Sequence, residues 1–175
     1  PHAWMIPANV QIYVDNMVAA FSELSPEHAA EFEANGEAYK QELQQIQDDL
    51  VREISTLPES QRALVSCEGA FSYLARDAGL QEHYIWPVNA EQQATPQQIT
   101  AVIEAVREKN IPAVFCESTV SDAPMQQVIE ATGASFGGTL YVDSLSEEDG
   151  PVPTYLDLIR HDTDVILAGL TGEEH

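Results

Sequence analysis

Short apolar segments alternate with helical patterns over the last two thirds of the chain, and this alternation constrains the fold more than any other feature. Helical signals lie between the segments: Thr95 and Pro96 are suited to begin a helix, and Gly79 and Gly133 are suited to end one. Strands that alternate with helices predict a parallel sheet covered on both faces. We therefore expect an α/β fold with a four-stranded parallel sheet flanked by helices. The predicted strands are 63–67, 83–88, 112–116 and 135–143.

A long amphipathic pattern precedes the alternating part. Ser25 is a suitable cap, Pro26 suits the first helical position, and the pattern continues to Leu57 before Pro58 stops it. Such a helix would be on the order of 45 Å long, which exceeds the diameter of the small domain that follows. It is expected to be a strut between two bodies, only one of which is fully present here.

Composition limits the classes of protein that remain. The 7 Lys and Arg against 29 Asp and Glu give a net charge of −22, and such a surface repels nucleic acid and anionic lipid. The hydrophobic content of 44% argues against disorder. No apolar run approaches the roughly 20 residues that a membrane-spanning helix needs. No signal peptide begins the sequence, so we expect that any such segment was removed or was never included in the expressed chain.

The two cysteines, Cys67 and Cys116, are too few for a disulfide scaffold and lack the spacing of a zinc site. Both follow apolar runs, so buried thiols are the expectation. A disulfide between them requires close Cα atoms, which the sequence does not establish. The cysteines therefore leave the redox compartment open.

Acidic residues follow three of the four predicted strands. Glu68 and Glu117 come directly after their strands, and Asp143 ends the fourth. Ligands bind beyond the carboxyl ends of parallel strands, and three carboxylates there repel one another unless a cation intervenes. No basic residue lies within a few positions of these acids, which favours a metal. The alternative is that some of the acids cap helices.

Histidines decide which metal such a site would prefer. Oxygen ligands alone suit calcium or magnesium, whereas imidazole with carboxylate suits manganese, iron or zinc. Of the five histidines, His28, His83, His161 and His175 are typical of surface positions. His2 would reach the acids only if the first helix folds back over the carboxyl edge of the sheet. Spacing alone does not decide that point.

Five motifs together resemble one family, the metal receptors of bacterial manganese, zinc and iron ABC importers, also called cluster A-I solute-binding proteins. The resemblance extends in order over essentially the whole chain and includes the long helix. The motifs are "PHAW" (1–4), "SCEGAFSYLARDAGL" (66–80), "YIWPVNAEQQATPQQI" (84–99), "VFCESTV" (114–120) and "YVDS" (141–144).

The resemblance implies two lobes joined by a rigid helix, with a metal held between them by four side chains. By position, His2 matches one histidine ligand, Glu68 the third ligand and Asp143 the fourth. Glu117 matches an acid that lies beside the site without binding the metal. The resemblance also implies the boundaries: 1–24 a remnant of the first lobe, 25–57 the inter-lobe helix, and 58–175 the second lobe.

Glu68 carries information about the metal. Relatives that resemble zinc receptors typically have histidine at the matching position. Two imidazoles with two carboxylates form a more oxygen-rich site, which favours Mn²⁺, with Fe²⁺ or Zn²⁺ as alternatives. Zinc can still bind as tightly in vitro because affinity follows the Irving–Williams order.

The chain departs from the family pattern because the early segment with the first histidine is absent. We therefore expect a carboxy-terminal fragment with at most three of the four ligands and weak metal binding. The implied function is capture of a divalent metal outside the cytoplasm and delivery to an ABC permease, without bond chemistry. The expected protein is monomeric, does not bind nucleic acid, and is periplasmic or lipid-anchored.

Two alternatives belong to other classes. A flavodoxin-like hydrolase would use Glu68, Glu117 and Asp143 for acid–base work, and would be indifferent to the loss of His2. An adhesion or scaffold protein with a vestigial site would respond to metal neither in melting temperature nor in partner binding.

Overall fold

The computed structural model describes residues 1–88 and 94–172, in which helices and parallel strands alternate as predicted. Short 3-10 turns lie at Ala3–Met5, Pro26–His28 and Glu59–Gln61. The helices are α1 Pro7–Leu24, α2 Ala29–Thr56, α3 Ser72–Ala78, α4 Pro96–Lys109, α5 Ala123–Thr132 and α6 Tyr155–Thr171. The strands are β1 Ala63–Glu68, β2 Gln81–Trp86, β3 Ala113–Glu117 and β4 Ser135–Leu140. The predicted α/β class is confirmed.

Local sequence signals explain where the helices begin and end. The Thr95 hydroxyl accepts the Gln98 N–H at 3.3 Å while the Gln98 side chain accepts the Thr95 N–H at 2.8 Å, so α4 begins with a capping box. Helices α3 and α5 end at Gly79 and Gly133, whose φ angles of 74° and 78° are left-handed. The long pattern begins with a 3-10 turn after Ser25 and becomes α2 three residues later.

The strands form two hydrogen-bonded parallel pairs, β1 with β2 and β3 with β4. The prediction of one continuous four-stranded sheet differs from this pairing, since no backbone ladder between β1 and β3 is found in the described residues. The two inner strands are nevertheless close, because the Cα atoms of Cys67 and Cys116 are 4.9 Å apart. The carboxyl ends of β1 and β3 therefore lie side by side.

The N-terminal segment packs into the α/β body. Met5 and Ile6 are fully buried in one apolar cluster with Leu50 and Ile54 of α2 and Phe71. Spacing alone did not decide whether His2 can reach the carboxyl edge of the sheet. Burial of Met5 and Ile6 brings the residues that precede them, including His2, to the α/β body. This packing, together with the strand ends, positions the candidate site.

Helices α1 and α2 form a second, looser surface. They border an apolar cavity of about 540 Å³ that includes Val14, Met17, Phe21 and Phe32 in its lining. Several large apolar side chains of α1 in this lining remain exposed, among them Phe21 at 50%. Over residues 1–88 and 94–172, none of the helices combines the length and apolar character of a membrane span.

Candidate metal centre

His2 lies against Asp143, as a ligand pair would. Its Nε2 is 3.3 Å from the Asp143 Oδ1, and the His2 side chain is 7% exposed while that of Asp143 is 46% exposed. The Nδ1 atom is buried and finds no hydrogen-bond partner in the described part of the chain. A buried imidazole beside a solvent-accessible carboxylate can receive a cation from solvent.

Three hydrogen bonds hold the His2 segment in place. The Trp4 indole N–H donates to the Val142 carbonyl at 2.9 Å, one residue before Asp143. The Tyr155 hydroxyl donates to the Trp4 carbonyl at 2.6 Å, and the Asn9 amide donates to the Ala3 carbonyl at 2.9 Å. The tryptophan of "PHAW" thus joins the segment that carries His2 to the segment that carries Asp143. Sequence analysis gave no role to Trp4 or Tyr155.

Glu68 and Glu117 occupy the ends of β1 and β3, as predicted. Both are buried, and the Glu68 N–H donates to both carboxylate oxygens of Glu117 at 3.3 and 3.2 Å. Asp143 is different, because β4 ends at Leu140 and Asp143 lies in the following loop rather than at the end of a strand. The Trp4 hydrogen bond to the Val142 carbonyl holds the residue directly before Asp143.

The acids interact electrostatically. Burial, against the backbone hydrogen bonds that lower it and with added contributions from the charges of Glu68 and Asp143, raises the pKa of Glu117 to about 8. The ligand atoms of His2, Glu68 and Asp143 do not form a cluster within 4.8 Å of one another among the described residues. The charges of Glu68 and Asp143 nevertheless act on Glu117, so the three carboxyl groups lie within electrostatic range and repel one another. A divalent cation would relieve this repulsion, and its binding would release protons.

The Glu117 carboxyl makes stability depend on pH. In the unfolded chain its pKa is near 4.5, so between about 4.5 and 8 the folded, metal-free protein retains a proton that the unfolded chain has lost. The free energy of unfolding should therefore fall as pH rises through this window and level off above it. Replacing Glu117 with Gln should remove this component and stabilise the metal-free protein at pH 8 by a few kcal/mol.

Urea unfolding of both proteins between pH 5 and 8.5, with chelator present, measures this difference. Glu130→Gln is the matched control, because Glu130 is exposed on α5. Parallel profiles for wild type and Glu117→Gln would contradict the assignment.

The expectation of buried thiols was wrong, because Cys67 and Cys116 form a disulfide. Each cysteine directly precedes the acid that ends its strand, so the bond joins the two strands at equivalent positions. The equivalent position of the two cysteines in their strands is the sequence signal that could have indicated the disulfide. The Cys67, Cys116 and Glu117 donor atoms lie within 4.8 Å of one another, but sulfurs in a disulfide are not thiolate ligands.

The other histidines lie elsewhere. His28 faces Glu31 of α2, and the His161 ring contacts the Thr139 carbonyl at 3.1 Å. His83 is partly buried on β2, and its pKa is lowered, chiefly by burial. His175 lies outside the described residues.

Comparison with solved structures defines the class of protein. The manganese-bound periplasmic metal binding protein from Candidatus Liberibacter asiaticus matches with a TM-score of 0.89 and 40% identity, covering 97% of this chain and 63% of that one. The fold is thus that of a periplasmic metal-binding protein. The family model described as "ZnuA: Zinc-uptake complex component A periplasmic" matches residues 1–169, and the chain belongs to that family. The resemblance drawn from the motifs is confirmed.

Two curated relatives show how much of the length of such a protein this chain covers. The iron-binding protein YfeA of Yersinia pestis is 52% identical over 169 residues, which are 97% of this chain and 54% of that protein. The manganese-binding lipoprotein MntA of Halalkalibacterium halodurans is 35% identical over 171 residues, 98% of this chain and 57% of that protein. The chain spans about half the length of the curated relatives it matches.

Proposed function

We propose that this chain forms part of an extracytoplasmic receptor that captures a divalent transition metal and delivers it to an ABC permease. The observation that carries the proposal is the buried His2 imidazole, 3.3 Å from the Asp143 carboxylate at the edge where β1 and β3 end. The names of the relatives, which refer to iron and manganese, agree with such a role. The protein would be periplasmic or lipid-anchored and would act as a monomer.

We assign His2, Glu68 and Asp143 as metal ligands. Glu117 would act beside them, because its carboxylate accepts the Glu68 N–H and can thereby hold the end of β1 in position. Two imidazoles with two carboxylates form a more oxygen-rich site than three imidazoles with one carboxylate, and such a site suits Mn²⁺ better. Mn²⁺ is therefore the preferred cargo, with Fe²⁺ and Zn²⁺ as alternatives.

The apolar surface of α1 and α2 supports a two-lobed arrangement. Exposed apolar residues such as Met17 and Phe21 border a cavity that a further body of the same polypeptide would fill. The relatives, nearly twice as long, have enough additional chain for one. Residues 1–24 would then belong with that first lobe, 25–57 would link the lobes, and 58–175 would form the second lobe. The first lobe would supply the remaining ligand.

The hydrolase alternative has less support. Its acids would need to act without His2, whereas His2 is buried in direct contact with Asp143. The relatives are named as metal-binding proteins and transporter components. No bond chemistry is needed to account for the arrangement. On capture, the bound divalent metal would be coordinated by the carboxylates and would relieve the repulsion among them.

Metal analysis of the protein as its gene encodes it, purified without chelator, tests the proposal together with the choice of metal. The wild type should contain manganese or iron. Glu68→His should shift the bound metal toward zinc, because it replaces a carboxylate with an imidazole. Glu130→His, at an exposed position, should leave the metal content unchanged. Wild-type protein without any transition metal, and unable to acquire one, would refute the function, and an unchanged metal in Glu68→His would refute the role of Glu68.

A further inference from the structure

We propose that Asp162 of α6 is a positioning residue for the metal centre, acting through the backbone of Tyr141. The inference rests on the proposed function. Asp162 is completely inaccessible to solvent, and its Oδ1 accepts the Tyr141 N–H at 2.9 Å. Tyr141 is the first residue after β4 and lies two residues before Asp143.

The contact to Tyr141 extends the order of β4 into the loop. Beyond Leu140 the backbone leaves β4, and over the described residues the β3–β4 ladder does not continue to the segment that carries Asp143. The Asp162 carboxyl takes the place of a strand partner for the first N–H after the strand. Its Oδ2 is buried without a hydrogen-bond partner among the described residues. Burying a carboxyl group with one oxygen unsatisfied costs free energy, which the hydrogen bond from the Tyr141 N–H partly offsets. That hydrogen bond also fixes the first residue of the loop that carries Asp143.

Helix α6 makes a second contact to the same centre two turns earlier. The Tyr155 hydroxyl donates to the Trp4 carbonyl at 2.6 Å, and Trp4 in turn donates to the Val142 carbonyl at 2.9 Å. Residues seven positions apart lie on the same face of a helix, so Tyr155 and Asp162 face the centre together. Tyr155 holds the His2 segment and Asp162 holds the Asp143 segment. Two contacts from one helix thus fix the position of the two ligand segments relative to each other.

Burial raises the pKa of Asp162 well above its ordinary range, and the charge of Glu117 acts in the same direction. The contact to Tyr141 needs only an acceptor oxygen, which an asparagine side chain also offers. A neutral residue of the same shape with an acceptor should therefore preserve the site, and one without an acceptor should not.

The test compares Asp162→Asn with Asp162→Leu in the protein as its gene encodes it. Mn²⁺ affinity is measured by calorimetry, and the bound ion is examined by electron paramagnetic resonance. Asp162→Leu should weaken Mn²⁺ binding by roughly 10–100-fold and alter the spectrum of the saturated protein, as expected when an outer contact of a metal site is lost. Asp162→Asn should retain wild-type affinity within about threefold, and so should Asp164→Leu, an exposed neighbour.

Three outcomes would overturn the positioning role: wild-type affinity and spectrum in a folded Asp162→Leu, equal losses in both Asp162 variants, or an equal loss in Asp164→Leu. If Asp162→Leu does not fold, hydrogen exchange in the wild type decides. The Tyr141 amide should be protected without metal, and free exchange would overturn the inference. Failure of the wild type itself to bind Mn²⁺, Fe²⁺ or Zn²⁺ would instead refute the proposed function.

Discussion

Replacing Asp143 with alanine is expected to lower the affinity of the receptor for Mn²⁺ by more than about 100-fold. Loss of a residue that only supports a metal ligand typically costs 10–100-fold, and loss of the ligand itself should cost more. Asp143 is also half exposed, so its replacement leaves the fold intact and the loss is confined to binding. His2→Ala should have an effect of similar size, because its Nε2 is the nitrogen that faces Asp143.

Calorimetric titration with Mn²⁺ measures both losses, and the double variant tests whether the two residues act on the same ion. The double variant should lose much less than the two single losses combined, because the site is already broken by either change. Asp149→Ala is the matched control, since Asp149 is exposed in the same loop. Unchanged affinity in Asp143→Ala, or an equal loss in Asp149→Ala, would contradict the assignment.

Removal of the disulfide is expected to destabilise the protein strongly. Cys67 and Cys116 are 49 residues apart, and in the chain-entropy model the closure of such a loop contributes about 4 kcal/mol. For a chain of this length, that loss corresponds to a fall in melting temperature of roughly 8–16 °C. The double variant Cys67→Ala/Cys116→Ala should show it, with a further contribution from the volume lost at two buried positions.

Reductant separates the covalent contribution from the packing contribution. Dithiothreitol under mildly denaturing conditions should lower the melting temperature of the wild type toward that of the double variant, and should leave the variant unchanged. Thiol counting confirms that the bond has been reduced. Fully reduced wild type with its original melting temperature would show that the disulfide does not stabilise this fold.

Much of the fold was predictable because its signals are local. The cap at Thr95 and the glycines that end α3 and α5 are each determined by a few neighbouring residues. The placement of Glu68 and Glu117 followed from the same logic, because an acid directly after an apolar strand of a parallel sheet must lie at its carboxyl edge. The family resemblance agreed with these local arguments.

The remaining features depend on contacts between distant residues. His2 reaches Asp143 through the hydrogen bond from Trp4 to Val142, which joins residues 138 positions apart. The disulfide depends on β1 and β3 being neighbours, and no periodicity in either strand contains that information. The sequence around Asp162 is that of an amphipathic helix and does not indicate that its carboxyl accepts the Tyr141 N–H. Sequence spacing alone does not determine which distant residues come into contact.

Crystals of the protein soaked in Mn²⁺, with anomalous diffraction collected near the manganese absorption edge, test the central claim most directly. We predict one strong anomalous peak within bonding distance of the His2 Nε2, a Glu68 carboxylate oxygen and an Asp143 carboxylate oxygen, with Glu117 outside the coordination sphere. A peak bound elsewhere on the acidic surface, with these three side chains unliganded at saturating Mn²⁺, would contradict the account.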